Sequence, residues 1–378
     1  MNKDVSRSFE SHFARLDDPR VKRHKLYPLM EVLFVVLCGS ICGAESWRDY
    51  VLFGKEKLPF LREHYPFING IPSKNTFARV LAALDPEVFK HCFVDWVKTL
   101  QKTLNSVIAI DGKTLCNSAD RDAGRSAIHM VSAFATEARL VLAQQKVAEK
   151  SNEIVAIPKL LDLLDLKGQI ITIDAMGTQK AIAKQIIAKE SDYVLALKGN
   201  QGTLNADVRL FLETELKKTS STAITDSYEE ADKGHGRIET RKCIVSNQID
   251  WLSQKEHWSG LKTIAMLEET QEKNGILSTE RRFFISSLPA NAKQISSAVR
   301  AHWLIENSLH WTLDVVFNED DSRVRKDHAG ENMAIVRHIV VNMLNNAKSY
   351  FKNIGLKALR KKAGWGNKTL EFILRQNF

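Results

Sequence analysis

Two short stretches, "VIAIDGKT" (107–114) and "IITIDAMGT" (170–178), each deliver one aspartate at the end of an apolar run, just before a turn. If the runs are neighbouring parallel strands, Asp111 and Asp174 emerge side by side at one sheet edge, where open α/β sheets bind ligands. Two carboxylates that close repel one another, and a divalent cation relieves the repulsion. A third acid, Glu306, lies inside "HWLIENSLHW" (302–311). There a helix apolar on nearly every side is expected to be buried, and His302, Glu306, His310 and Asp314 form a polar ridge at i+4 spacing. A buried carboxylate is costly unless a cation meets it, so Glu306 is expected to share an internal site with the aspartates. Oxygen donors without cysteine suit Mg²⁺ or Mn²⁺. Three carboxylates holding two such ions is the chemistry of phosphodiester attack.

Plainer readings stand beside this one. Each aspartate alone caps a turn. His302, Glu306 and His310 would make a zinc site, although HxxxExxxH is not the HExxH arrangement. Glu319, Asp320 and Asp321 in "NEDDSR" are rival third carboxylates that also read as a polar loop. "DGKT" lacks the upstream glycine of a P-loop, and no GxxxxGK[ST] occurs.

The elements that must position these residues fall into blocks. Residues 1–105 read as a helical domain suited to DNA binding, with Ser73 an N-cap after Pro72. Within it, residues 26–47 are almost long enough to span a bilayer, but Glu31, Gly39, Ser40 and Gly43 favour a buried helix. Residues 106–350 alternate strands and helices, which implies an α/β layer with a mixed sheet. The strands around 126–136 and 139–148 form a hairpin turning at Glu137 and Ala138, and Pro158 interrupts the next helix at its start. Residues 200–285 are polar with short β-like pieces, a β-rich insertion. Residues 351–378 form a basic tail.

Of 378 residues, 54 are Lys or Arg and 45 Asp or Glu, giving net charge +9 and favouring a polyanionic partner. The five scattered cysteines support neither a disulfide framework nor a zinc ribbon and suit a cytoplasmic protein. The polar first 25 residues do not read as a signal peptide.

The ordered set "AIDGKT", "SNEIVAIPKLLDLLDLKGQIITIDAMGTQ", "YVLALKGNQ", "KGHGRIETR" and "HWLIENSLHWTLDVVFNEDDSRVRKDHAGENMAIVRHIVVNML" resembles bacterial insertion-sequence transposases of the DDE class. The resemblance is to the branch containing the H-repeat-associated proteins, and it covers most of the chain. It implies a ribonuclease-H-like core, interrupted by the β-rich insertion before the third acid, with Asp111, Asp174 and Glu306 as catalytic, Mg²⁺- or Mn²⁺-holding residues. It also implies cleavage at element ends, strand transfer into target DNA, and a homodimer pairing two terminal repeats. The chain departs from the wider IS-four-like pattern, whose Tyr, Arg and Lys fall on Val299, His302 and Leu313, so the end-processing route does not carry over. Arg300 and His302 supply some of that polarity. Lys198 and Asn200 in "LKGNQ", and His235, Arg237 and Arg241 beyond it, are candidates for gripping the DNA backbone. The rival readings are a DNA-binding protein that has lost transposition and a nuclease without strand transfer.

Overall fold

The computed structural model describes residues 3–20, 25–100, 107–119, 124, 126–148, 151–218, 221–234, 237–273 and 276–378. Helices α1 (Lys3–Phe13), α2 (Leu29–Ile41), α3 (Trp47–Glu56), α4 (Leu58–Leu61), α5 (Lys74–Ala83) and α6 (Pro86–Leu100) come first. In α2 all residues but Met30 are buried, so the apolar 26–47 segment centres on a core helix, with Gly39 inside the fold and Gly43 exposed just past its end. Among the described residues no helix is long and apolar enough to cross a membrane. Ser73 caps α5 by accepting a hydrogen bond from Thr76 N.

The middle of the chain alternates β1 (Val107–Leu115), β2 (Ile128–Ala135), β3 (Leu140–Lys146), α7 (Glu153–Asp162), β4 (Ile170–Ile173), α8 (Lys180–Ala188) and β5 (Asp192–Leu197). Then follow α9 (Gly202–Leu216) and the strands β6 (Asp226–Gly234), β7 (Arg237–Ser246), β8 (Thr263–Lys273) and β9 (Ile276–Ser286). The strands build one nine-stranded sheet in the order β3-β2-β1-β4-β5-β9-β8-β7-β6. β1, β4 and β5 are parallel and the remaining pairs antiparallel, so the chain is α/β with a mixed sheet. Parallel neighbours need crossovers, and α7 and α8 supply them.

Two local expectations differ. Pro158 lies inside α7 and does not break it. The stretch read as β-rich from residue 200 opens on α9, and its meander continues the sheet through β9, which pairs with β5 (Val194↔Ser286 to Leu197↔Phe283). Side-chain alternation divides the two faces there. Val194, Ala265 and Phe284 pack against the following helix, α10 (Ala292–Leu304), whereas Leu195, Ile264 and Ile285 join the large core with Leu204, Val208 and Leu212 of α9.

After α10 the chain makes a π-helical turn, Ile305–His310, and continues as α11 (Trp311–Val315), α12 (Ala329–Lys348), α13 (Leu356–Trp365) and α14 (Asn367–Arg375). α12 is buried along most of its length and touches α2, α5, α6, α13, α14 and β3. Helices of the first hundred residues therefore share one continuous core with the β3 side of the sheet. Residues 351–378 fold back into that core: Leu359, Leu370 and Ile373 are fully buried, and Trp96 Nε1 donates to Asn377 O at 3.1 Å.

Candidate catalytic centre

Parallel pairing between β1 and β4 runs from Val107↔Ile170 to Ile110↔Ile173. Asp111 is the next residue of β1, and Asp174 the first residue after β4. β1 does not end at Asp111, as its sequence suggested. It continues to Leu115 against β2, because the antiparallel ladder still satisfies its backbone where β4 stops. Asp174 Oδ1 accepts from Gly177 N at 3.0 Å, and Thr178 Oγ1 donates to Ala196 O at 2.7 Å, tying the turn after β4 to β5.

Glu306 enters from the other side. It lies in the π turn between α10 and α11, and a cavity of about 410 Å³ is lined by Asp111, Asp174, Glu306, Lys198 and His302 among others. The expectation of burial fails here: Glu306 is exposed, as are Trp303 and Trp311. Only Ile305, Leu309, Thr312, Leu313 and Val316 of this stretch are buried, so it covers the sheet edge with one side and gives the other to the cavity mouth. The π turn also breaks the expected i+4 ridge, since the wider turn moves later side chains around the axis. His302 reaches back to Thr172 Oγ1 on β4 (3.0 Å), His310 Nδ1 lies 3.8 Å from Asp111 Oδ2, and Asp314 pairs with Lys113 at 2.7 Å. Those separate engagements leave no His302–Glu306–His310 zinc site. Of the rival acids, Glu319 is buried against Arg337 at 3.1 Å, Asp320 meets Lys113 at 3.0 Å, and Asp321 is exposed.

The carboxylates act on one another. Burial pushes Asp111 up to about 7, opposed by the Gly112 N–H it accepts, and reinforced by Asp174, Glu306 and Glu153. Asp174 is raised by burial, opposed by Gly177 N–H, and raised again by Glu153. Burial holds His302 and His310 down near 4, so both rings are neutral at pH 7. Among the described residues no three His, Cys, Asp or Glu side chains stand in ready-made ligand geometry. A hard divalent ion nevertheless fits this donor set: oxygen ligands, a cavity to enter by, and an Asp111 carboxyl that burial first, and neighbouring acids second, make hard to ionise without a cation.

Of the basic candidates, Lys198 is exposed, lines the cavity and favours ionised Asp174. The Asn200 amide donates to Ala175 O, holding the turn after Asp174. Arg300 is bound to Glu230 (2.9 Å) and Asp232 (3.4 Å), and Arg241 to Glu239, so neither is a free cation. His235 lies outside the described residues, and for Arg237 the backbone alone is described, paired with Gly234. Sequence reasoning assigned nothing to Glu153 or His129. Glu153 is the acidic residue of the first turn of α7, an ordinary place for a glutamate that gives no signal of a further role.

Asp111 and Asp174 thus stand beside one another at one sheet edge, and Glu306 lines the same cavity. The family described as "Transposase DDE domain" matches residues 102–343, and "DDE_Tnp_1-associated" matches residues 10–97. The protein belongs to the DDE transposases, in the branch of the H-repeat-associated proteins. It is 40% identical to the "H repeat-associated putative transposase YhhI" of Escherichia coli K12, over 96% of each chain. It is 41% identical to the "Putative transposase YncI" of Escherichia coli O157:H7, over 97% of this chain and 94% of that one. The synaptic complex of piggyBac transposase with hairpin DNA aligns with 99% of this chain and 79% of its own at TM-score 0.43 and 9% identity, and no residue role is transferred from it.

Proposed function

We propose that this protein is a divalent-metal-dependent DNA transposase that cuts phosphodiester bonds at the ends of its element and joins the freed 3′-hydroxyls to target DNA. Asp111, Asp174 and Glu306 would hold Mg²⁺, with Mn²⁺ able to replace it. Bound there, the ions would supply Lewis-acid activation of the attacking oxygen and charge stabilisation of the leaving one. The chain's own part is to present three carboxylates around one cavity, to fix the turn of Asp174 through Gly177 and Asn200, and to keep His302 and His310 uncharged beside them. The carrying observation is that Asp111 and Asp174 follow the last parallel pair, Ile110↔Ile173, on adjacent strands, with Glu306 lining the same cavity.

The core strands β3-β2-β1-β4-β5, with β2 antiparallel, support the ribonuclease-H-like reading. The net charge of +9 supports double-stranded DNA as partner. A homodimer pairing two terminal repeats, acting in the cytoplasm, completes the proposal. Purified protein with labelled end-repeat DNA and Mg²⁺ tests it. Nicking followed by joining is expected. Nicking without joining would make it a nuclease, and binding without nicking a DNA-binding relic.

A further inference from the structure

Glu153 is the first residue of α7, in the segment that follows the β2–β3 hairpin and far in sequence from Asp111. Its Oε1 lies 2.7 Å from His129 Nε2, and the other ring nitrogen of His129 lies 2.8 Å from Thr114 Oγ1. Thr114 and His129 are cross-strand partners on β1 and β2, so the ring is held at both nitrogens by the ribbon that extends β1 past Asp111. Gly112, next to Asp111, makes room for the pair: a Cβ there would collide with Glu153 Oε1 and His129 Nε2. The carboxylate therefore sits against the backbone that carries Asp111.

This is an odd place for a purely structural ion pair. Glu153 and His129 are mostly buried, so their attraction is set against the cost of removing both groups from water, and such a pair is weak evidence of a stabilising role. Meanwhile Glu153 adds negative charge beside two aspartates already crowded by burial, and it is felt by both Asp111 and Asp174. Three carboxylates also leave two hard ions with few protein ligands. We propose that Glu153 is a fourth carboxylate of the metal-holding set and that His129 is the positioning residue that aims it. The proposal rests on the metal-dependent reading above.

The test titrates Mn²⁺ into DNA-free protein by calorimetry and, separately, follows cleavage against Mg²⁺ and Mn²⁺ concentration, for wild type, E153Q, H129N and D111N. E153Q is expected to weaken Mn²⁺ binding about tenfold or more and to raise the ion concentration for half-maximal cleavage by a similar factor. H129N is expected to lose affinity in the same direction, within the roughly 10- to 100-fold range that partners of ligands command. Affinity for end-repeat DNA without metal should not change. Wild-type Mn²⁺ affinity and an unchanged ion requirement in E153Q overturn the proposal. If E153Q melts early without metal, E153D is read the same way, because it keeps the charge and withdraws the oxygens by one methylene. Unaltered affinity in E153D then overturns it. D111N separates this idea from its parent. A D111N protein that still cleaves removes the metal-site reading altogether, whereas an inactive D111N beside a normal E153Q removes only Glu153.

Discussion

Asp111 and Asp174 each stand one residue beyond Ile110 and Ile173, the last partners of the parallel β1–β4 ladder. The strand spacing of a sheet, about 4.8 Å, sets how near their backbones lie. No loop conformation has to be specified to bring these acids together. They are placed by register, and a slip of one residue would turn one of them to the opposite face. A sheet edge of this kind fixes two carboxylates rigidly and leaves a third to a helix that can be supplied from far along the chain.

Conservative neutralisation of these acids should separate chemistry from binding. D111N, D174N and E306Q are each expected to lower end cleavage by more than the roughly 10- to 100-fold that changes to outer-shell partners cost. Affinity for end-repeat DNA should remain, because the neutralised acids offer no positive charge to phosphate. Gel-shift and nicking assays on the same preparations check this, and E306Q cutting at the wild-type rate removes Glu306 from the site.

Asp111 gives the metal-free protein a defined pH response. Its carboxyl titrates near 3.8 when unfolded and about 7 when folded. Between those values the native state binds more protons, so this group makes stability fall as pH rises, and the loss is complete above about 7. His302 and His310 act oppositely: ordinarily 6.5 and held near 4 in the fold, they make stability rise with pH from about 4 to 6.5. That histidine contribution is common to wild type and D111N and largely cancels in their difference. D111N should therefore gain stability relative to wild type steadily from pH 4 to pH 7.5 in chelator. Equal denaturant midpoints throughout that range would contradict the assigned burial. By the same logic Mn²⁺ should raise the melting temperature more at pH 8 than at pH 5, since binding must displace the Asp111 proton at the lower pH.

Lys198 and Asn200 were paired in one motif, but the structure gives them different work. Lys198 is exposed at the cavity, and K198A should weaken DNA binding and reduce the slope of log affinity against log salt by about 1. Asn200 holds Ala175 O, so N200A should leave that slope unchanged and reduce cleavage by loosening the Asp174 turn. Identical salt slopes for K198A and wild type would mean that the lysine touches no phosphate.

Local pattern was enough to read the end of β4 before Asp174, the hairpin turning at Glu137 and Ala138, and the buried character of α2, because each follows from a short run of side chains. It was not enough for β1, which runs past Asp111 because its partner β2 lies elsewhere in the sequence. The π turn at Ile305–His310 was not readable, since a 3.6-residue period carries no sign of one wider turn, and with it went the i+4 ridge and the burial of Glu306. Helix α9 was hidden by its polar surroundings; its buried side is just Leu204, Val208, Leu212 and Glu215. Glu153 and His129 meet only because β1, β2 and α7 fold together, and no spacing along the chain encodes that meeting.

Glu319 offers the sharpest contrast with Glu306, since both were candidates for the third acid. Glu319 is buried, and its bond to Arg337 ties the turn after α11 to α12, with Lys113 and Asp314 near enough to be felt. Removing one partner strands the other charge, at a cost of about 3–5 kcal/mol for buried pairs. E319A should therefore lower the unfolding free energy by about that amount, measured by denaturant titration, and any activity loss should follow the fraction unfolded. E306A, at an exposed position with no buried partner, should change stability by less than about 0.5 kcal/mol and still abolish cleavage. If the two phenotypes were exchanged, with E319A stable and inactive and E306A unstable and active, the third acid of the site would be Glu319, and the cavity beside Asp111 would have to open toward α12 to receive the substrate.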